Sequence, residues 1–275
     1  MGLFLVNYST KEYANKQKMN TFSAKIFGGF DKVYSYVPKD IDCDFKTKNQ
    51  EILKLKKGAG LWLWKPYFFN KVLNSKLVYG DYLFHCDSSA FFIKSVQPLI
   101  NALEDSGQDI MAFSLPLTEK HWTSPSLLEY FNADIKTRNS PQVLANFLLV
   151  KKTKKSILFV KEWLDLCSNI NLINDSKERE SSPTYFIAHR FDQSILSLLC
   201  KKQKLRLFRD PSQYGRFPEM YRNNGPVTKP FHIECSYQTT IILLRKSKFV
   251  IEYSKFVLKK ILIKLMPSIY YRIIK

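Results

Sequence analysis

Short apolar runs rich in β-branched and aromatic residues alternate along the chain with longer stretches of helical character, and this alternation restricts the fold most. The runs cover residues 3–7, 32–36, 81–86, 110–114 and 143–150, with a shorter one at 205–208. Helices are expected from the first run to about Ile26, over 49–57, over 67–73 behind Pro66, and over 96–106, 154–167 and 191–202, with a further start at 125–131. Apolar runs of this length suit strands covered on both faces, and strands alternating with helices build an α/β fold with a mainly parallel sheet. Gly28 and Gly29 end the first helical stretch, and Gly58 and Gly60 punctuate the second. Residues 38–45, 169–183 and 209–240 read as loop or irregular chain.

The chain has 275 residues, enough for one domain of about 240 residues and an appendage. The boundary is expected near 245, giving a domain over 1–245 and a tail over 246–275. Lys and Arg number 43 against 24 Asp and Glu, a formal charge of +19. Such a field draws polyanions: nucleic acid, anionic lipid headgroups or diphosphate-bearing substrates. A Lys-rich chain also arises from the base composition of a genome alone. No zinc-finger spacing or RNP-type run points to specific nucleic acid, and no G-x-x-x-x-G-K loop is present. Five cysteines lie scattered without a C-x-x-C pair, behind an opening run too short and uncharged for a secretory leader, so a reduced cytoplasmic protein is expected. Val6 stands where a myristoylation signal needs Ser or Thr.

Several constellations carry chemistry. Tyr82-Leu-Phe-His-Cys-Asp-Ser-Ser89 runs an apolar strand into Asp87, and ligands of open α/β sheets sit outside the carboxyl ends of strands. A carboxylate there can hold a hard cation that neutralises a diphosphate. It is also a routine turn or cap residue. Gly58-Ala-Gly-Leu-Trp-Leu-Trp-Lys-Pro66 crowds two glycines, Trp62, Trp64 and Lys65 ahead of a helix N-terminus. Backbone N–H groups there favour phosphate and Lys65 adds a mobile charge. In an extended segment the two tryptophans would share a face and wall a cleft; the alternative is a pair of core tryptophans. In Ala188-His-Arg-Phe-Asp-Gln-Ser194, Asp192 and Gln193 either reach into a cleft or serve the helix start, Asp192 as its N-cap. His121-Trp-Thr-Ser-Pro125 suits contact with an acceptor or a simple helix start. Arg209-Asp-Pro-Ser-Gln-Tyr-Gly215 reads as a turn, and His232 is either structural or a late metal ligand.

Taken in order, these runs resemble bacterial glycosyltransferases of the GT-A fold that build capsule and lipopolysaccharide O-antigen. The likeness spans residues 3 to about 215, and the W-x-W-K-P and D-Q-S runs are its specific parts. It implies a Rossmann-like nucleotide-binding half and an acceptor half. Asn7, Tyr8, Trp64, Lys65, Asp87 and Ser89 would meet the nucleotide-sugar donor. His121, Trp122, His189, Arg190 and Gln193 would meet sugar or acceptor, and Asp87 and Asp192 would carry the catalysis. Asp87 would also hold Mn²⁺ or Mg²⁺, although Ser89 replaces the second acid of a D-x-D motif. The acceptor implied is a glycan, often lipid-linked. The alternative reading is a non-catalytic basic protein that binds a polyanion or an anionic membrane.

The tail holds eight Lys or Arg residues, from Lys246 to Lys275, against Glu252 alone. Phe249, Phe256 and Ile263 supply an apolar helical face and Pro267 ends or kinks the helix. Such a helix lies in a membrane interface, helped by anionic lipid, or packs on the domain with a solvated basic face. The expected location is the cytoplasmic face of the plasma membrane, held peripherally.

Overall fold

The computed structural model describes residues 1–175, 182–224, 227–228, 232–233, 235–244 and 248–266. The main sheet has six strands in the order β2-β1-β3-β6-β5-β7. These are β1 (Leu3–Tyr8), β2 (Lys32–Tyr36), β3 (Tyr82–Cys86), β5 (Ile110–Thr118), β6 (Pro141–Lys151) and β7 (Phe208–Arg209). β1 pairs in parallel with β2 and β3, β5 in parallel with β7, and only β6 runs against its neighbours. The fold is α/β with a mostly parallel sheet flanked by helices, as the alternation predicts.

The sheet buries both faces. Val6, Tyr8 and Leu83 point to one side, where the helices Trp64–Ser75, Lys154–Cys167 and Asp192–Lys202 supply Phe68, Trp163 and Ile195. Leu3, Leu5, Phe84 and Cys86 point to the other, against Leu99 and Leu103 of the helix Gln97–Asp105. This is the period of two along a strand. Every residue of β3 and β5 is buried, which is why those runs are predominantly apolar. Thr153 fixes the start of Lys154–Cys167 by accepting a hydrogen bond from the Ser156 N–H at 3.1 Å.

Several local expectations are corrected. Residues 38–45 hold a 3₁₀ turn, Pro38–Asp40, and the start of a helix, Cys43–Lys48. A tertiary contact orders them: the Asp42 N–H donates to the Tyr67 hydroxyl at 2.9 Å, and that hydroxyl donates to the Asp42 carboxylate at 2.7 Å. The helix ahead of Pro66 begins at Trp64, because a proline in the first turn forfeits no intrahelical bond. A turn of helix, Ile170–Ile173, lies in the expected loop 169–183, of which 176–181 fall outside the described residues. A second sheet pairs β4 (Ala90–Phe92) with β8 (Ile241–Leu243) in antiparallel fashion. It carries the chain's C-terminal part back beside the end of β3.

The tail forms the helix Phe249–Leu265; residues 245–247 and 267–275, with Lys246, Pro267, Arg272 and Lys275, lie outside the described residues. The face expected to meet a membrane instead packs on the protein. Phe256 joins Phe91, Phe217, Ile242 and Leu244 in a small core, with Phe249 and Ile263 against it. A different stripe is exposed: Val250, Ile251, Leu258, Ile261 and Leu265. Among the described residues no helix is long and apolar enough to cross a membrane.

Candidate active site

Because β1 and β3 are parallel neighbours, their carboxyl ends open on one edge of the sheet. A cleft of about 390 Å³ lies there, with Tyr8, Ser9 and Thr10 from the end of β1 and Asp87, Ser88 and Ser89 from the end of β3. Trp62 and Trp64 form a wall, and Tyr8 stacks on Trp64 at 4.2 Å between ring centroids.

The tryptophans reach the cleft by an unexpected backbone. Gly58, Ala59, Gly60, Leu61 and Trp62 all have positive φ, from 51° to 92°. Three of them are not glycine, and each such residue costs roughly 1–2 kcal/mol in this conformation. Backbone bonds from Leu61 N–H to Lys57 O (2.9 Å) and from Trp62 N–H to Gly58 O (3.2 Å) close the turn. The Trp64 indole N–H ties to the same Gly58 carbonyl at 3.0 Å. A Cβ on Gly60 would sit 2.9 Å from the Leu53 Cα, so only glycine fits there. Phe191 has φ 51° as well, and its ring stacks on Trp62 at 5.5 Å. Backbone strain of this kind concentrates where a site must be shaped.

Behind the cleft wall, Lys65 lies between two carboxylates. Its Nζ is 3.1 Å from Asp87 Oδ1 and 3.5 Å from Asp192 Oδ2, and it donates to the Ala145 carbonyl at 3.3 Å. His85 Nε2 stands 3.4 Å from the same Asp87 oxygen. Lys65 and Asp192 side chains are 5% and 4% exposed, whereas Asp87 is 20% exposed and faces the cleft. Two expectations change accordingly. Lys65 is not a freely mobile charge, since its ammonium is held between the two carboxylates. Asp192 is no N-cap: it is the first residue of its helix and makes no side-chain cap bond.

The electrostatics separate the two acids. Burial alone would lift the Asp87 pKa, but Lys65 and His85 outweigh it and hold the carboxyl below its usual range. Burial and then repulsion from Asp87 raise Asp192 to about 7, with Lys65 only partly offsetting them. Burial would lower Lys65, yet Asp192 and Asp87 keep it raised, and burial lowers His85. Asp87 is therefore an anion at neutral pH, His85 is neutral, and Asp192 titrates near neutrality. Since the folded state binds the Asp192 proton more tightly than the unfolded chain, stability falls as pH rises from about 4 to about 7. Asp192→Asn removes that loss. Relative to the unaltered protein it should gain about 2–3 kcal/mol between pH 5 and pH 8 in chemical-denaturation midpoints. Parallel pH profiles for the two proteins would refute the assignment.

The donor set does not fit a tightly held Mn²⁺ or Mg²⁺. The cation that faces Asp87 and Asp192 is Lys65 itself, and Ser89 offers no second carboxylate. Among the described residues, no group of three or more His, Cys, Asp or Glu side chains could hold a metal. The His232 ring nitrogen lies 2.8 Å from the neighbouring Ile233 carbonyl.

The remaining expected residues divide. Asn7 is buried away from the cleft, donating to the Asn20 amide oxygen at 2.7 Å and accepting from Gln17 at 3.0 Å. Gln193 is tied to β6, through the Ala145 N–H at 3.4 Å and Gln142 at 3.0 Å. His189 is 1% exposed and accepts from the Ser124 N–H at 3.2 Å; burial drops its pKa to about 4. The Arg190 guanidinium lies 4.3 Å over the Trp122 ring, and His121 contacts the Tyr185 carbonyl at 2.7 Å. This group borders Phe191, across Trp62 from the cleft, rather than lining it. Sequence reasoning missed Glu12, which lines the cleft from a 3₁₀ turn at Lys11–Tyr13, Lys56, which lines it from a turn without a pattern, and His85, which reads as a strand residue.

No protein-family model matches the chain, and no curated protein matches it. Three solved structures are similar. Mouse xyloside xylosyltransferase 1, in its apo form, is 9% identical over 88% of this chain and 97% of that one, with a TM-score of 0.49. The apo bifunctional glycosyltransferase WbbM is 11% identical over 72% of this chain and 37% of its own, with a TM-score of 0.43. The apo glycosyltransferase GlyE of Streptococcus pneumoniae TIGR4 is 15% identical over 88% of this chain and 54% of its own, with a TM-score of 0.40. All three bear glycosyltransferase names, and at these scores the likeness carries no information on the reaction of this chain.

Proposed function

We propose that this protein is a GT-A-type glycosyltransferase that moves a sugar from a nucleotide-sugar donor to a glycan acceptor in cell-surface polysaccharide synthesis. The observation that carries the reading is an ionised carboxylate, Asp87, set in an aromatic-walled cleft at the carboxyl ends of two parallel strands. In this reading Tyr8, Trp62 and Trp64 offer ring faces to the base or sugar. A carboxylate repels a diphosphate, so Asp87 faces the sugar, while Lys56 at the rim meets the phosphates. As the bond from the anomeric carbon to the diphosphate oxygen breaks and the acceptor oxygen attacks, positive charge grows on the sugar ring. A fixed anion beside it lowers the barrier. His121, Trp122 and Arg190 are the proposed acceptor side. The exposed apolar stripe of the tail helix and its lysines support peripheral docking on an anionic membrane at the cytoplasmic face, where a lipid-linked acceptor would be met.

The test is a melting-temperature screen against UDP-, GDP-, CMP- and dTDP-sugars, each with and without Mn²⁺. At a hundred times its Kd a donor adds about 2.7 kcal/mol of stability, a rise of roughly 5–10 °C. A rise with one nucleotide class, undiminished without Mn²⁺, is expected. No rise with any donor sinks the proposal in favour of a non-catalytic polyanion-binding protein.

A further inference from the structure

A second cleft of about 390 Å³ lies at the junction of the tail helix with the protein, and the donor site makes no use of it. Four of its lining residues are cations: Lys94, Arg209, Arg216 and Lys260. No carboxylate is among its described lining residues, and none of the four forms an ion pair among the described residues. Lys94 donates to the Gln238 side chain and Arg209 to the Tyr237 carbonyl, so two of the charges are held in place by neutral partners. Four like charges gathered around one hollow repel each other unless an anion sits among them.

The same cleft is continuous with apolar surface. Tyr253 and Val257 line it and also border the exposed apolar face of the helix that carries Val250, Leu258 and Ile261. A cationic hollow that borders an exposed apolar helix face matches one kind of ligand, an amphiphile with an anionic head and a hydrocarbon tail. A soluble phosphate leaves the apolar face uncovered, and nucleic acid has no hydrocarbon to place there. We infer that Lys94, Arg209, Arg216 and Lys260 form a binding site for the phosphate headgroup of a membrane lipid, with the acyl chain laid along the tail helix. The inference rests on the membrane-docking part of the proposed function and gives it a chemically selective contact.

The site also fixes a distance. Ser88 and Ser89 line the donor cleft, Ile93 and Lys94 line the basic one, and β4 connects them. The extended chain from Ser89 to Ile93 spans at most about 13 Å. A lipid head bound at one end of β4 therefore holds the donor cleft close to the headgroup layer.

The experiment measures binding of the full chain to phosphatidylcholine vesicles doped with either phosphatidic acid or ionised oleate, matched in surface charge. Diffuse attraction treats the two alike, whereas a phosphate site does not. The unaltered protein should bind the phosphatidic acid vesicles at least tenfold more tightly. Arg216→Gln with Lys260→Gln should bring that preference below threefold. Lys248→Gln with Lys264→Gln removes the same charge from the ends of the helix, outside the cleft, and should preserve it. All four residues are exposed, so melting temperatures should stay unchanged. Equal binding of the unaltered protein to both vesicles, or equal loss of preference in both double variants, overturns the headgroup site and leaves membrane docking standing. No binding to either vesicle overturns membrane docking as well.

Discussion

Lys65→Met is expected to destabilise the fold by about 3–5 kcal/mol at pH 7.5, a fall in melting temperature of roughly 10 °C. Among the described residues, the lysine is the only cation within ion-pair distance of both Asp87 and Asp192. Methionine is unbranched and only one atom shorter, so most of the packing is kept and the loss is mainly electrostatic. Without the ammonium, a buried carboxylate and a half-buried one face each other and each is pushed above its normal pKa by its partial desolvation and by the other. The deficit should therefore grow as pH rises and shrink below about pH 5, where both acids can be protonated at lower cost. Asp192→Asn in the same chain removes one of the two opposing charges and should recover about half of the loss. The measurement is thermal or urea unfolding at pH 5 and pH 7.5 for the single and double variants. A Lys65→Met protein that melts within 2 °C of the unaltered one at pH 7.5 would show that the pair of carboxylates is not held by this lysine.

The legible parts of the fold are those where one local rule decides. β3 is buried on both sides and reads as a mostly apolar run, with His85 within it, ending at Asp87. The helix Lys154–Cys167 begins behind Thr153, whose side chain caps it, so its start follows a local rule. β4 and β8 are three residues each, too short for a period to appear, and they exist because distant segments meet. The left-handed turn at 58–62 was visible only as two glycines. Ala59, Leu61 and Trp62 give no local sign that they share that conformation, since tertiary packing of Leu61 and the stacking of Trp62 on Phe191 hold them there.

At the site, residue types were easier to read than relations. Asp87, Tyr8 and Trp64 were singled out from a strand end and an unusual run, and they share one cleft. The link from Lys65 to Asp192 joins positions far apart in sequence, and no spacing announces it. Lys65 therefore looked like a free cation, and Asp192 read either as a cap or as a catalytic group reaching into the cleft. The tail misled for a related reason. Its helix is apolar on two sides, and composition cannot tell which side the protein covers. Phe256 faces Phe217 and Leu244, leaving Leu258 and Ile261 outside.

Asp87→Asn separates catalysis from folding, because it removes a charge from the cleft while relieving the crowded pair behind it. Asparagine has the same shape, and Lys65 and Asp192 remain as a one-to-one ion pair, so the melting temperature should hold or rise slightly. If Asp87 stabilises positive charge on the sugar in the transition state, sugar transfer should fall at least a thousandfold, about 4 kcal/mol of lost stabilisation. The division between constants identifies the role. An interaction made only in the transition state lowers kcat and leaves KM nearly unchanged, whereas a contact with the bound donor raises KM. Asp87→Glu keeps the charge but displaces it by about one bond length, and positioning to within an ångström matters for such a group. It should therefore fall between the two, with a loss of about a hundredfold. Transfer within tenfold of the unaltered rate for Asp87→Asn would remove Asp87 from the chemistry and turn attention to Glu12, the other acid on the cleft wall.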